Sequence, residues 1–305
     1  MTDMSLATIT TSRANRPPRV LLYGPEGIGK TTFGAGAPAP IFLAPEDGTA
    51  QVDVQRFPEP KVWADVEAAL AALDLEHEYK TLVIDTLDWL EPLVHVETCR
   101  RHGWKEIEEP GFGKGYAAAL NIWRAFFARL DGLRTKHGMQ VILLAHAMIR
   151  PFNNPETDPY DRYELKLYRT AGGLAKEWSD AVLFANYETL TSKKNGRARA
   201  VSTGARFIYT ERRAAYDAKN RYGLPEQMPL SWADFETARL GAGAVAPAAS
   251  EIEVLIQQVD ATTQTQARAY LKAKPRTPRE ITQLADRLRA KAAILNPPTN
   301  DKETK

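Results

Sequence analysis

The chain has 305 residues, of which 44% are hydrophobic and 26% charged. That is enough apolar material for a core, and it excludes wholesale disorder. A net charge of +2, from 40 Lys+Arg against 38 Asp+Glu, excludes a histone-like polycation.

Residues 1–18 are polar and end in Pro17-Pro18, which reads as an arm with a short strand over 6–11. No apolar run of signal-peptide length is present near the start, and Arg13 and Arg16 interrupt it. From Arg19 the pattern alternates. Strands are expected at 20–23, 41–44, 81–84 and 140–145, and helices at 30–36, 63–75, 87–101 and 116–136. In the last helix Leu120, Trp123, Phe127 and Leu130 recur at helical spacing. Such alternation predicts an α/β core with a mainly parallel central sheet. Residues 147–171 contain prolines and little helical pattern, and read as a long loop. Residues 181–190 and 198–210 flank Lys193-Lys194-Asn195-Gly196, and Asn-Gly between two strand-like runs predicts a hairpin.

Gly and Ala dominate residues 241–250, a linker. Beyond it Ser250 with Glu253, Thr263 with Gln266, and Thr277 with Glu280 fit helix-capping boxes. The expected organisation is an arm (1–18), a core (19–240), a linker (241–250), a small helical module (251–296) and a tail (297–305). Cys99 is the only cysteine, which excludes an internal disulfide and cysteine-rich zinc modules. No stretch approaches the roughly 18 apolar residues of a membrane span, so a cytoplasmic protein without a membrane partner is expected.

Gly24-Pro25-Glu26-Gly27-Ile28-Gly29-Lys30-Thr31 fits the P-loop pattern, with Thr32 the next residue of the helix. Its glycines let backbone amides turn toward phosphate oxygens, and the helix that follows presents free N–H groups to them. Lys30 supplies a point charge for the β- and γ-phosphates, and the Thr31 hydroxyl a ligand for magnesium. The cofactors expected are ATP and Mg. The buried run Thr81-Leu82-Val83-Ile84-Asp85 ends in an acid, as a Walker B strand must to reach the magnesium shell. A base is still needed to orient the attacking water. Glu46 follows the strand at 41–44 and takes that role if the strand neighbours the P-loop strand; Asp47 is the fallback.

Over residues 19–225 these elements resemble the core of RecA-like recombinases. The resemblance implies a water-activating glutamate at Glu46 and a first DNA-binding loop over 108–115, where Lys114 lies. It implies a γ-phosphate switch residue at His146, where the family usually has glutamine, and a second DNA-binding loop after it. Some ring helicases of the superfamily also use histidine there. Lys219-Asn220-Arg221-Tyr222-Gly223 is one conservative change from the Lys-Asn-Arg-Phe-Gly motif of RadA-type branch-migration ATPases. That motif implies that Lys219 and Arg221 act across a subunit interface, as an arginine finger does. The whole arrangement looks like the phage-encoded, core-only RecA-like ATP-binding proteins, some of which anneal single strands; the location would then be the host cytoplasm.

Local charge supports a polyanionic partner. Residues 41–98 hold 13 acidic against 3 basic residues, a balance of −10. Residues 190–222 hold 9 basic against 2 acidic, a balance of +7. Candidate contacts to single-stranded DNA are Lys114, Arg150, Phe152, Arg162, Lys193, Lys194, Arg197 and Arg199, with Trp104, Phe112, Tyr160, Tyr163 and Tyr168 as further stacking surfaces. Expected partners are single-stranded DNA, further copies in a ring or filament, and a single-strand-binding or replication protein on the C-terminal helices. A DNA-stimulated ATPase of recombination or annealing fits these residues best. A ring helicase or branch-migration motor, a metabolic phosphotransferase and a nucleotide-switched binding module are the alternatives.

Overall fold

The computed structural model describes residues 16–46, 52–194, 197–241 and 249–273, and beyond these residues 281, 284, 285, 287–289, 291 and 292. Its elements run β1 (Arg19–Gly24), α1 (Lys30–Ala35), β2 (Pro40–Leu43), β3 (Gln55–Arg56), α2 (Trp63–Ala72), β4 (Thr81–Asp85), α3 (Leu87–His102), α4 (Lys114–His137) and β5 (Gln140–Phe152). Then come β6 (Tyr160–Leu165), α5 (Arg169–Trp178), β7 (Ala181–Lys194), β8 (Arg197–Tyr209), β9 (Lys219–Asn220), β10 (Gln227–Pro229), α6 (Trp232–Gly241), α7 (Ala249–Gln257) and α8 (Ala261–Ala273). The expected arm strand at 6–11 and the Thr277 cap lie outside the described residues. So do the hairpin turn at 195–196, most of the 241–250 linker and the tail.

The central sheet has the strand order β10-β8-β7-β1-β5-β4-β2-β3. Strands β7, β1, β5, β4, β2 and β3 pair in parallel, while β8 and β10 extend one edge antiparallel. The parallel strands are continuous apolar runs because both faces are covered. Val20, Leu21, Leu22, Leu82, Val83, Ile84, Val141, Ile142, Leu143 and Leu144 are all fully buried. One face packs against α4, whose stripe of Ile122, Trp123, Phe126, Phe127, Leu130 and Leu133 is buried at helical spacing. Each such side chain contributes roughly 1.5–3 kcal/mol on leaving water. Trp123→Ala would remove the largest of them, at about 3–5 kcal/mol.

Two readings of the sequence change. The strand expected at 140–145 continues to Phe152 and turns back as β6, so residues 147–165 form an antiparallel hairpin rather than a loop. Its prolines hid it, but Pro151 needs no N–H at this short edge pairing. The cap of α8 is Asp260, not Thr263. Asp260 accepts hydrogen bonds from the Thr263 amide at 3.0 Å and its hydroxyl at 2.8 Å. The predicted pairing on either side of Asn195-Gly196 is present, from Phe184↔Tyr209 out to Lys194↔Arg197, with one irregularity between Tyr187 and Thr189.

The chain divides into two compact units, Met1–Phe235 and Glu236–Lys305. The second has an apolar cluster of its own, in which Ile252, Leu255, Ile256 and Val259 meet Ala267, Ala285, Leu288 and Ala292. Among the described residues no helix is long and apolar enough to cross a membrane.

Candidate nucleotide-binding site

The site lies where β1, β5 and β4 end together. Strand β5 is inserted between the P-loop strand and the Walker B strand, and its register sets His146 opposite Gly24 and Leu144 opposite Asp85. Beyond these ends is a cavity of about 350 Å³. Glu26, Gly27, Gly29, Lys30, Thr31, Thr32, Glu46, Asp85, His146 and Arg206 are among its lining residues. Ligands of open α/β sheets bind at this end, outside the carboxyl ends of the strands.

The loop is a backbone structure. Gly27 and Gly29 have φ values of 70° and 110°, which glycine adopts without steric cost. Gly24 meets a different demand, since a Cβ there would stand 2.4 Å from the Ala185 carbonyl oxygen on β7. The Lys30 ammonium turns into the loop and donates to the carbonyls of Gly24 (3.3 Å) and Pro25 (3.0 Å). Burial lowers its pKa against the pull of Asp85, Asp88, Glu46 and Glu26.

The Thr31 hydroxyl donates to Asp85 Oδ2 at 2.7 Å, joining the two residues expected at magnesium. Burial raises the Asp85 pKa, opposed by Thr31, Lys30 and His146, so the carboxylate sits where a cation would relieve it. These oxygens suit Mg²⁺, which takes one or two protein ligands and completes its shell with phosphate and water. Among the described residues no cluster of three or more His, Cys, Asp or Glu forms a separate metal site.

Strand β2 does not neighbour β1, so the adjacency considered for Glu46 does not hold; β4 and β5 lie between. Glu46 nevertheless lines the cavity with Lys30, Asp85 and His146. Burial raises its pKa, and Asp85 and Asp88 add to the effect against His146 and Lys30. Asp47 is outside the described residues.

Asp88, unremarked in the sequence, holds His146. Its Oδ1 accepts the His146 amide at 2.9 Å and its Oδ2 faces Nδ1 at 2.8 Å. Burial raises the Asp88 pKa, but the hydrogen bonds and charge of His146 outweigh burial and hold it below the usual range. An ionised Asp88 only accepts, so Nδ1 carries the proton and Nε2 is left to the cavity. The signal was present as an acid three residues after Asp85, in the first turn of α3. Glu91, a turn further, is pushed up to about 7 by burial although both its oxygens face the Tyr168 amide at 3.0 and 3.1 Å.

The other predicted residues lie elsewhere. Lys219 and Arg221 sit at the opposite end of the sheet, where β9 pairs with the first residues of β7. Lys219 donates to the carbonyls of Lys176, Glu177 and Ser179 at 2.6–3.0 Å and so closes the C-terminus of α5. Asn220 closes the following turn through Tyr222 and Leu224. Arg221 is half exposed, 3.6 Å from Asp180.

Arg162, expected at DNA, is buried. It lies 3.3 Å from Glu164 and 3.8 Å from Asp217, over the Phe152 ring at 4.7 Å. Phe152 and Tyr160 pack on each other, Tyr163 packs on Phe184, Tyr168 stacks on Tyr116 and Trp104 on His102. Phe112 and Lys114 remain exposed. Arg150 donates to the Leu167 carbonyl and, with Arg169, Lys176 and Glu164, lines a second cavity of about 310 Å³. Strands β7 and β8 carry Lys193, Lys194, Arg197 and Arg199, whose side chains are outside the described residues.

Residues 16–222 match the family model described as AAA domain. No curated protein matches the chain. Among solved structures, the RadB recombinase aligns at 15% identity and TM-score 0.37, over 66% of this chain and 84% of that one. The flagellar accessory protein FlaH from Methanocaldococcus jannaschii aligns at 8% identity and TM-score 0.31, over 63% and 78%. With more than half its length matched and a phosphate loop set on a parallel sheet, the chain belongs to the AAA domain family.

Proposed function

We propose that the protein is a magnesium-dependent ATPase that acts on single-stranded DNA in recombination or annealing, as the phage-type RecA-like ATPases do. The observation that carries the ATPase reading is the gathering of Lys30, Thr31, Glu46, Asp85 and His146 around one cavity. Lys30 and the loop amides would hold the phosphates, and Thr31 and Asp85 would hold magnesium, which when bound would supply positive charge at the phosphoryl oxygens. Glu46, its pKa raised, orients and deprotonates the attacking water. His146, fixed by Asp88, reads the γ-phosphate through Nε2.

The nucleic-acid reading is supported by the +7 balance of residues 190–222, by exposed Phe112, and by the cations Arg150, Arg169 and Lys176 around the second cavity. Assembly is part of the proposal. Arg221 lies at the sheet end opposite the P-loop, so it reaches a nucleotide only in a head-to-tail array of subunits, a ring or a filament. The helical unit after Glu236, with its own core, serves as a docking module for a replication partner.

The test is the ATPase rate with and without single-stranded DNA across a salt series. Stimulation that fades as salt rises is expected, because phosphate contacts release counterions. A rate indifferent to DNA at every salt concentration would remove the nucleic-acid part. Accumulation of a phosphorylated small molecule would replace the reading with a phosphotransferase.

A further inference from the structure

Arg206 is placed differently from the arginines that tie the core together. Arg19, Arg134, Arg162 and Arg213 each face a carboxylate within 4 Å. Arg206, among the described residues, has none. Its backbone is nonetheless fixed on both sides. It pairs in register with Tyr187 across β7, and its carbonyl accepts the Leu230 amide at 3.1 Å. The guanidinium lies over the phosphate loop. Nη1 is 3.2 Å from the point a Cβ on Gly29 would occupy, and Leu230 is the next neighbour at 3.6 Å. Tyr187 stands beside it, 5.8 Å from ring centre to Cζ, and its hydroxyl donates to the Gly27 carbonyl at 3.4 Å. The foot of the β7–β8 hairpin therefore touches the loop at two of its glycines.

The charges of the cavity give this placement a use. Among the described residues, Lys30 and Arg206 are the only lysine and arginine lining it, against Glu26, Glu46 and Asp85. Lys30 is buried inside the loop. Arg206 is solvent-exposed beside Gly29, with no carboxylate to leave before it meets an anion. A nucleoside triphosphate stays anionic even with magnesium bound, and a guanidinium is the side chain that pairs phosphate with two parallel N–H donors. We propose that Arg206 is a second phosphate-contact residue of the same subunit, holding the phosphate chain of a bound nucleotide from the hairpin side. This deepens the nucleotide reading above and rests on it. It is separate from any residue reaching in from a neighbouring subunit.

The experiment is a titration of the full chain, with magnesium, by AMP, ADP and a non-hydrolysable ATP analogue. Wild type, Arg206→Ala, Arg206→Lys and Lys30→Ala are compared, with thermal midpoints recorded for each. For Arg206→Ala the affinities for ADP and the analogue fall by roughly tenfold, the value of one charge-assisted contact, while AMP binding and the midpoint hold. Arg206→Lys recovers part of the loss. If Arg206→Ala binds all three as wild type does while Lys30→Ala fails, the proposal is overturned and the nucleotide reading stands. An equal loss for AMP, ADP and the analogue also overturns it, since the contact would not be to the phosphate chain. If wild type binds none of the three, the nucleotide reading falls and the proposal with it.

Discussion

The two ends of the parallel sheet treat charge in opposite ways. At the carboxyl ends of β1, β4 and β5, acids gather with too few cations. Asp85 and Glu46 are both pushed up by burial, and Lys30 is pushed down. At the amino ends, the buried acid Asp180 has its counter-charges. Asp180 accepts from Arg19 at 2.8 Å and lies near Arg134, Arg221 and Tyr222. Its pKa, raised by burial, is brought below normal by those partners. Charges that hold the fold together are settled internally. A region that handles a charged ligand leaves the settlement to the ligand.

Substitution at each end breaks or sharpens the contrast. Lys30→Ala has the largest expected effect: ATP turnover falls on the order of a hundredfold or more. The thermal midpoint stays the same or rises, because a buried charge has been removed. Undiminished turnover would show that the carboxyl-end charges are not a ligand site. Asp180→Asn does the reverse, leaving nucleotide affinity in place and costing about 3 kcal/mol by stripping buried Arg134 and partly buried Arg19 of their partner. Denaturant melts read this directly, and a neutral result would mean the amino-end network is ornamental.

Glu91 sits between these cases. Its folded value of about 7 is above the unfolded carboxylate value. The folded state therefore keeps a proton that the unfolded state has released. The contribution of Glu91 to stability is full below about pH 4.5 and declines as pH rises to about 7, by on the order of 3 kcal/mol. Glu91→Gln removes that slope, so the variant gains on wild type from pH 5 to pH 8. Equal melting curves across the range would refute it. The smallest expected signal comes from mixing Arg221→Ala with Glu46→Ala. Partial recovery of turnover in the mixture places the amino end of one subunit against the carboxyl end of the next. No recovery at any ratio would confine Arg221 to its own Asp180.

The parallel core was legible because buried strands are written as apolar runs and the P-loop as a spacing of glycines. The boundaries of β1, β4 and α3 fall within one residue of expectation for that reason. Residues 147–165 were misread because a hairpin that packs on one side only shows prolines and charges where a buried strand shows valines. Arg162 was misread because a buried arginine and an exposed one look alike in sequence; its burial follows from Glu164 and Asp217, one of them 55 residues away. The same limit hid Arg206, which reaches Gly29 through a strand pairing no local pattern announces. The sequence did not show Lys219 as a helix cap, since its three carbonyl partners come from the end of a helix 40–43 residues earlier.

Gly24 has a mechanical consequence. No side chain separates the start of the phosphate loop from the Ala185 carbonyl, and none fits. Soft side-chain layers absorb small displacements, but here backbone bears on backbone. A shift of the loop of a few tenths of an ångström is handed to β7 without slack. Two residues further along β7 is Tyr187, and beyond it the basic arms of the hairpin. In this joint glycine acts as a spacer of zero thickness, and alanine at position 24 would wedge the two backbones apart.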